Sequence, residues 1–215
     1  MIKVIQPGLF TTIQDAGRHG FRNIGIPTSG FMDQESAWAA NELVDNNKDE
    51  SLLEITLTGP TLIFNCNCVI SITGGDFNPL INNLPVKMYQ SINVRTGDIL
   101  KLNNTINGAR SYIAISGGLN VKSLFGSKSF FSNISDSYHL KKGDEIKVSK
   151  KSESQILKWH KLKFNLNRFM KVFRGPEYDL LSTNSKKKLF KNEFTINTNN
   201  RMAYNLEEKI QVDIK

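Results

Sequence analysis

Ser51-Leu52-Leu53-Glu54-Ile55-Thr56-Leu57-Thr58-Gly59-Pro60-Thr61-Leu62-Ile63-Phe64 holds two short apolar runs on either side of a Gly-Pro break. Short runs of Leu, Ile, Thr and Phe that end in glycine and proline read as strands. The pattern repeats outward. Leu52–Leu57, Thr61–Phe64, Val69–Ile72, Ser91–Val94, Ile99–Leu102 and Tyr112–Ile115 are apolar, and Gly74-Gly75, Asn82-Asn83, Gly97-Asp98, Asn107-Gly108 and Gly117-Gly118 punctuate them. Such spacing predicts a mainly β chain, a barrel or sandwich with few short helices. Asp98 and Asp144 each follow a glycine and precede an apolar strand, so each is expected to close a hairpin. Glu54 interrupts its strand and by alternation shares a face with Leu52 and Thr56. On a buried face it requires a basic or N–H partner.

One helix is predicted from Asp33, which can cap it. Ala37, Ala40 and Val44, spaced by three and four, give it one apolar stripe, with Trp38 at the edge. A second short helix is expected at Gly175-Pro176-Glu177, because proline suits the first helical position. Lys186-Lys187-Lys188 reads as the solvated face of another. The stretch from Lys147 to Asn167 has little periodicity and reads as a boundary. A second β unit is expected to start near Phe169-Met170-Lys171-Val172-Phe173 and to include Phe194 and Ile196 in a later strand. The chain is thus divided into residues 1–160 and 161–215. A second unit of about 55 residues is marginal for an independent core.

The 215 residues are 39% hydrophobic and carry a net charge of +8, which excludes wholesale disorder. The charge is uneven: residues 1–120 hold 8 basic and 10 acidic side chains, residues 121–215 hold 20 and 10. Lysine outnumbers arginine 21 to 7, without interleaved aromatics, so nucleic acid is not an expected partner. No apolar run nears the roughly 18 residues of a membrane span. Met1–Gly8 lacks the pattern of a signal peptide, so a cytoplasmic location is expected. Cys66 and Cys68 read as small apolar side chains in a strand, because a bridge between such close neighbours is strained. His19, His139 and His160 show no zinc spacing, and no metal site is expected.

The chemistry concentrates in three glycine-rich places. No phosphate-binding loop, dinucleotide fingerprint or serine elbow is present, and Gly126-Ser127 reads as an ordinary turn. Gln14-Asp15-Ala16-Gly17-Arg18-His19-Gly20 sets an amide, a carboxylate and a guanidinium among glycines. Arg18 could clamp a carboxylate or phosphate; the plainer alternative is an Asp15–Arg18 pair tying a surface turn. Pro27-Thr28-Ser29-Gly30-Phe31-Met32-Asp33 leads into the helix, where backbone N–H groups beside Ser29 and Gly30 could take an anion. Asp33 as a cap explains its presence equally well. Asp76, after Gly74-Gly75, marks either a cleft mouth or a tight turn.

These segments, with Ala40-Asn41-Glu42-Leu43-Val44, Leu53-Glu54-Ile55-Thr56, Gly59-Pro60, Gly117-Gly118, Gly126-Ser127-Lys128-Ser129, Gly175-Pro176-Glu177 and Asn200-Arg201-Met202-Ala203-Tyr204-Asn205-Leu206, resemble the family of 5-oxoprolinase C subunits. That family is also called the biotin-dependent carboxyltransferase or allophanate hydrolase subunit 2 family, and includes an antagonist of a sporulation kinase inhibitor. The resemblance covers nearly the whole chain. It implies a cyclophilin-like β-barrel followed by a second, which here is expected to be incomplete, because family members continue through another glycine-rich segment after the match to Leu206. Phe31, Gly75, Phe130 and Ala203 depart from the family pattern, which has alanine, alanine, threonine and glycine there.

The resemblance implies a hydrolase subunit acting with subunits A and B in the ATP-dependent opening of 5-oxoproline to glutamate. The alternatives it carries are transfer of a carboxyl group from biotin to urea, and non-catalytic binding of a subunit-B-like kinase inhibitor. The chain has no Met-Lys-Met biotinylation motif. Laid on the matched positions, Asp15, Arg18 and Asp76 are the expected catalytic residues. Gln14, Ser29, Gly30, Asp33, Glu54, Glu177 and Arg201 are the expected substrate-binding ones.

Overall fold

The computed structural model describes residues 1–132, 134–149, 172–201 and 203–210. The chain divides into two compact units, residues 1–162 and 163–215.

The first unit is built of strands β1 (Ile2–Gln6), β2 (Phe10–Gln14), β3 (Leu52–Thr56), β4 (Thr61–Phe64), β5 (Cys68–Asp76), β6 (Leu80–Ile81), β7 (Leu84–Pro85), β8 (Ser91–Val94), β9 (Ile99–Lys101), β10 (Asn107–Ile115) and β11 (Glu145–Ile146). One helix, α1 (Gln34–Leu43), lies between β2 and β3. The strands form two sheets, in the orders β11-β1-β4-β9-β6-β7 and β2-β3-β10-β5-β8. Neighbours in both sheets run antiparallel. The protein is mainly β, as its spacing of apolar runs predicts.

Alternation along each strand decides what lies inside. Ile2, Val4, Leu62, Phe64 and Leu100 of the first sheet join Ile13, Leu53, Ile55, Ile70, Ile72, Ile113 and Ile115 of the second in one buried core. The intervening residues of the second sheet point to its other face. There Leu52, Tyr112 and Ala114 pack with Ala37, Ala40 and Val44, the predicted stripe of α1, and with Phe31. Trp38 lies at the edge of that cluster, as its helical position requires. The contact is close because alanine faces the sheet, and hydroxyls complete it. Ser71 donates to the Ala40 carbonyl at 2.6 Å and Thr73 to the Ser36 carbonyl at 2.7 Å.

The hairpin expectations need correction. The turn at Arg95–Asp98 carries the chain from β8 to β9, but β8 pairs with β5 and β9 with β4, in different sheets. The turn at Lys141–Asp144 feeds β11, which pairs with β1. A glycine-aspartate turn fixes local reversal and carries no information about the partner strand. Cys66 likewise falls in the turn between β4 and β5 rather than in a strand; Cys68 opens β5, and both thiols are free.

In the second unit a 3₁₀ helix spans Pro176–Leu180 with proline in its first turn, and α2 (Thr183–Lys191) is capped by Ser182. The lysine run lies on α2. Strands β12 (Ile196–Asn199) and β13 (Tyr204–Leu206) form a hairpin. The strand expected at Phe169–Phe173 falls mainly outside the described residues; Val172 and Phe173 are not in a strand, and Phe173 is 99% exposed. Among the described residues no helix is long and apolar enough to cross a membrane.

Candidate functional site

The second sheet carries a polar row where alternation would otherwise set apolar side chains. Thr12 of β2 lies opposite Glu54 of β3, Glu54 opposite Tyr112 of β10, and Tyr112 opposite Thr73 of β5. All four are buried. Glu54, at 1% exposure, has the partners its burial demands. Its Oε2 accepts the Met32 N–H at 2.9 Å, and the Arg110 Nε stands 3.7 Å from its Oε1. Tyr112 accepts the Asp33 N–H at 2.7 Å. Burial, and then the Glu54 carboxylate, push the Tyr112 phenol far above its ordinary pKa, so it is a neutral hydroxyl.

These contacts hold the loop before α1. Asp33 caps the helix, accepting the Ser36 N–H at 3.1 Å and the Ser36 hydroxyl at 2.5 Å. The cap reading of Asp33 holds, and it accounts for part of this helix start. The Met32, Asp33 and Ser36 N–H groups are already taken by Glu54, Tyr112 and Asp33.

The loop of residues 27–33 meets the loop of residues 14–18. Arg18 donates its N–H to the Thr28 carbonyl at 2.8 Å, and Phe31 to the Asp15 carbonyl at 3.1 Å. Gly17 and Gly30 make this approach possible. Both have positive φ, and a Cβ would fall 2.7 Å from the Thr28 carbonyl oxygen at Gly17 and 3.0 Å from Ala16 backbone at Gly30. The Ser29 hydroxyl lies 3.5 Å from Gln14 Oε1 and donates to the Phe130 carbonyl at 2.6 Å. Gln14 is fully buried and donates to Thr12 Oγ1 at 3.0 Å.

A third loop, residues 126–131, closes on the other two. Asp15 organises it. Its carboxylate accepts from the hydroxyls of Ser127 and Ser129 at 2.6 Å each, from the Lys128 N–H at 2.5 Å and from the Gly17 N–H at 2.8 Å. The Gly126-Ser127 turn is thus more than a reversal: it delivers the serines to Asp15. The Arg18 guanidinium, at 1% exposure, donates through Nη2 to the Ser129 carbonyl, while Nε and Nη1 have no hydrogen-bond partner among the described residues. A surface Asp15–Arg18 pair is excluded by this burial. Desolvation holds the Arg18 pKa below its usual value, against the opposing charge of Asp15. Phe130 packs edge-on against Phe10 at 5.7 Å and against His139.

Thus Asp15, Arg18, Ser29, Gly30 and Asp33 belong to loops that meet one another, and Gln14 of β2 and Glu54 of β3 hydrogen-bond to them from the second sheet. Asp76 does not join them. It is exposed at the end of β5, and its carboxylate accepts the Asn78 N–H at 2.8 Å in a tight turn. Glu177 is exposed on the 3₁₀ helix and Arg201 is partly buried in the β12–β13 turn, both in the second unit. The residues missed by sequence reasoning are Tyr112, Arg110, Ser127 and Ser129. Only the polarity of Tyr112 on the Glu54 face, and the serines of the matched Gly126–Ser129 segment, signalled them. Among the described residues no cluster of three or more His, Cys, Asp and Glu could hold a metal.

Residues 24–213 match the family model of the carboxyltransferase domain, subdomain A and B. The chain is 32% identical to the 5-oxoprolinase C subunit of Escherichia coli K12, over 98% of this chain and 69% of that protein. It is 38% identical to urea amidolyase of Saccharomyces cerevisiae over 60% of this chain, which is only 7% of that protein's length. The crystal structure of the Kluyveromyces lactis urea amidolyase superimposes with a TM-score of 0.82 at 29% identity, over 99% of this chain and 14% of that one. A match over most of the sequence, with a relative covered for more than two thirds of its length, shows that the chain belongs to the carboxyltransferase subdomain A and B family, together with the C subunit of 5-oxoprolinase.

Proposed function

We propose that the chain is the C subunit of an ATP-dependent 5-oxoprolinase and works with subunits A and B. One observation supports this over carboxyl transfer. Similarity to the bacterial 5-oxoprolinase component runs through 98% of the chain, whereas similarity to yeast urea amidolyase in sequence covers 60%. The structural likeness to the Kluyveromyces lactis urea amidolyase favours the second reading, carboxyl transfer from biotin to urea.

In the proposed reaction ATP, the co-substrate, phosphorylates the lactam oxygen of 5-oxoproline. Water then adds to the activated carbon, the ring C–N bond breaks, and glutamate, ADP and phosphate leave. Arg18 supplies positive charge with two unspent donors in a low-dielectric setting, where a developing oxyanion or phosphate gains most. Asp15 holds Ser127 and Ser129 in place and acts as a positioning residue. Ser29, partly exposed, is placed to meet the substrate, while the buried Gln14 and Gly30, with Glu54 and Asp33, fix the loops around it.

The test is to co-express the chain with subunits A and B, isolate the complex, and follow glutamate and ADP from 5-oxoproline and ATP. Release by the complex and none by the chain alone is the expected result. An assembled complex that makes no glutamate would overturn the reading.

A further inference from the structure

A cavity at the C-terminal end of α1 lies outside the machinery of the proposed reaction. Trp38 and Glu42 stand one helical turn apart and share a face of α1. With Asp45, Asn46 and Lys48 of the following loop they line a cavity of about 380 Å³. Hydrogen bonds fix that loop and so preform the cavity. Asn41 Nδ2 donates to the Lys48 and Glu50 carbonyls at 3.1 and 2.8 Å. Asn46 Nδ2 donates to the Ile115 carbonyl at 2.8 Å, and its Oδ1 accepts the Gly117 N–H at 2.8 Å. Trp38 offers its ring face rather than its N–H. Nε1 is buried without a hydrogen-bond partner among the described residues, so an incoming group does not reach it. The face of an indole draws positive charge, and Lys48 Nζ already stands 5.1 Å from the ring centroid.

We infer that this cavity is a binding site for an organic ammonium ion, the class that includes polyamines and lysine side chains, and that Lys48 stands in for it in the free chain. Charge decides the class. The lining holds the carboxylates of Glu42 and Asp45 against the one ammonium of Lys48, so an anion is repelled. The last turn of α1 has no basic residue, which leaves the negative end of its dipole to favour a cation there. An alkyl stem suits the rest of the cavity: the charge meets the ring face and the carboxylates while the methylenes lie along the indole. A bare metal ion does not fit, since among the described residues no cluster of three or more His, Cys, Asp and Glu could hold one. Lys48 is an exposed loop residue, so its side chain can swing out as the ligand enters.

The experiment titrates spermidine, and separately Nα-acetyl-lysine amide, into the full chain at constant ionic strength. The chain carries Trp159→Phe, so that Trp38 is its one tryptophan and its fluorescence reports on the cavity. A saturable change with one site is expected. Lys48→Gln vacates the ring face and should tighten binding by about threefold or more. Lys3→Gln removes the same charge from exposed β1 in the other sheet and should leave the affinity unchanged. Glu42→Gln, at an exposed position of α1, should keep the parent's melting temperature and weaken binding. Tighter binding of spermidine assigns the site to free polyamines, and tighter binding of the lysine derivative to a lysine of a partner protein; both support the inference. No saturable change with either probe, or equal shifts from Lys48→Gln and Lys3→Gln, would overturn it.

Discussion

Arg18 combines full burial with unspent donors, and that combination separates its contribution to folding from its contribution to chemistry. A buried guanidinium with unmet N–H groups gains little for the fold, and an apolar side chain of similar length is often tolerated in its place. The Ser129 carbonyl keeps a second donor, the Ser135 hydroxyl at 3.1 Å. Arg18→Met should therefore melt within a few degrees of the parent while the assembled complex loses most of its turnover. A large drop in melting temperature with unchanged kcat would make Arg18 a structural residue. Gly30→Ala should behave oppositely. Its φ of +95° and the contact with Ala16 leave no room for Cβ, so strain of about 1–3 kcal/mol is expected in denaturant unfolding. Glu50 contributes to the acid limb of stability. Burial opposes its charge, but hydrogen bonds from Lys128 and Ser51 outweigh it and hold the carboxyl below its usual value of 4.5. A depressed folded pKa stabilises the protein above pH 4.5 and loses that effect as pH falls through the folded value. Lys128→Met should flatten the stability profile below that pH, and an unaltered acid limb would refute the assignment. Glu54 was legible at this scale, since a carboxylate within an apolar strand demands a partner. Asp15's role was not, because its serine donors lie more than a hundred residues away in sequence.

At the scale of elements, α1 was readable down to its cap and its buried stripe because both signals are local. Removing the cap with Asp33→Ala should cost about 1–2 kcal/mol, measured by chemical denaturation. Ala40→Leu should cost about 1–3 kcal/mol by overpacking, because Ala40 is fully buried against the sheet and its carbonyl accepts from Ser71. A neutral Ala40→Leu would mean the helix can lift from β5. Strands β3, β4 and β8 were legible from apolar runs bounded by turn residues. Strands β1 and β2 were not marked as strands. The first alternates buried Ile2 and Val4 with exposed Lys3, and the second runs into the charged Gln14–Gly20 segment that drew a functional reading. Pairing was illegible wherever the chain crosses between sheets, as at Arg95–Asp98. The turn chemistry there is that of a hairpin, and only burial of Val94 and Leu100 in a shared core decides the crossover.

Among the described residues, the apolar cores lie within residues 2–148. In the second unit the described apolar side chains are largely exposed, among them Val172, Phe190, Ile196 and Tyr204 at 53–65%. A fragment of residues 1–162 should thus unfold cooperatively on its own, while residues 163–215 alone should not; a calorimetric scan of each checks this. Exposed apolar surface of this kind also favours association, so light scattering should show the full chain self-associating at concentrations where the fragment stays monomeric. The family was legible because its motifs are glycine-rich loops with fixed chemistry, and glycines such as Gly17 and Gly30 cannot be exchanged without breaking the meeting of loops. The reaction was less legible, because the same loops serve relatives with different names. The most direct test of the proposed function measures two activities in one preparation of the complex with subunits A and B: ATP-dependent glutamate formation from 5-oxoproline, and ATP-dependent carboxylation of urea in the presence of a biotin carrier. Glutamate and ADP in equal amounts, lost in Arg18→Met, with no carboxylated urea, is the predicted result. Carboxylated urea without glutamate would contradict it.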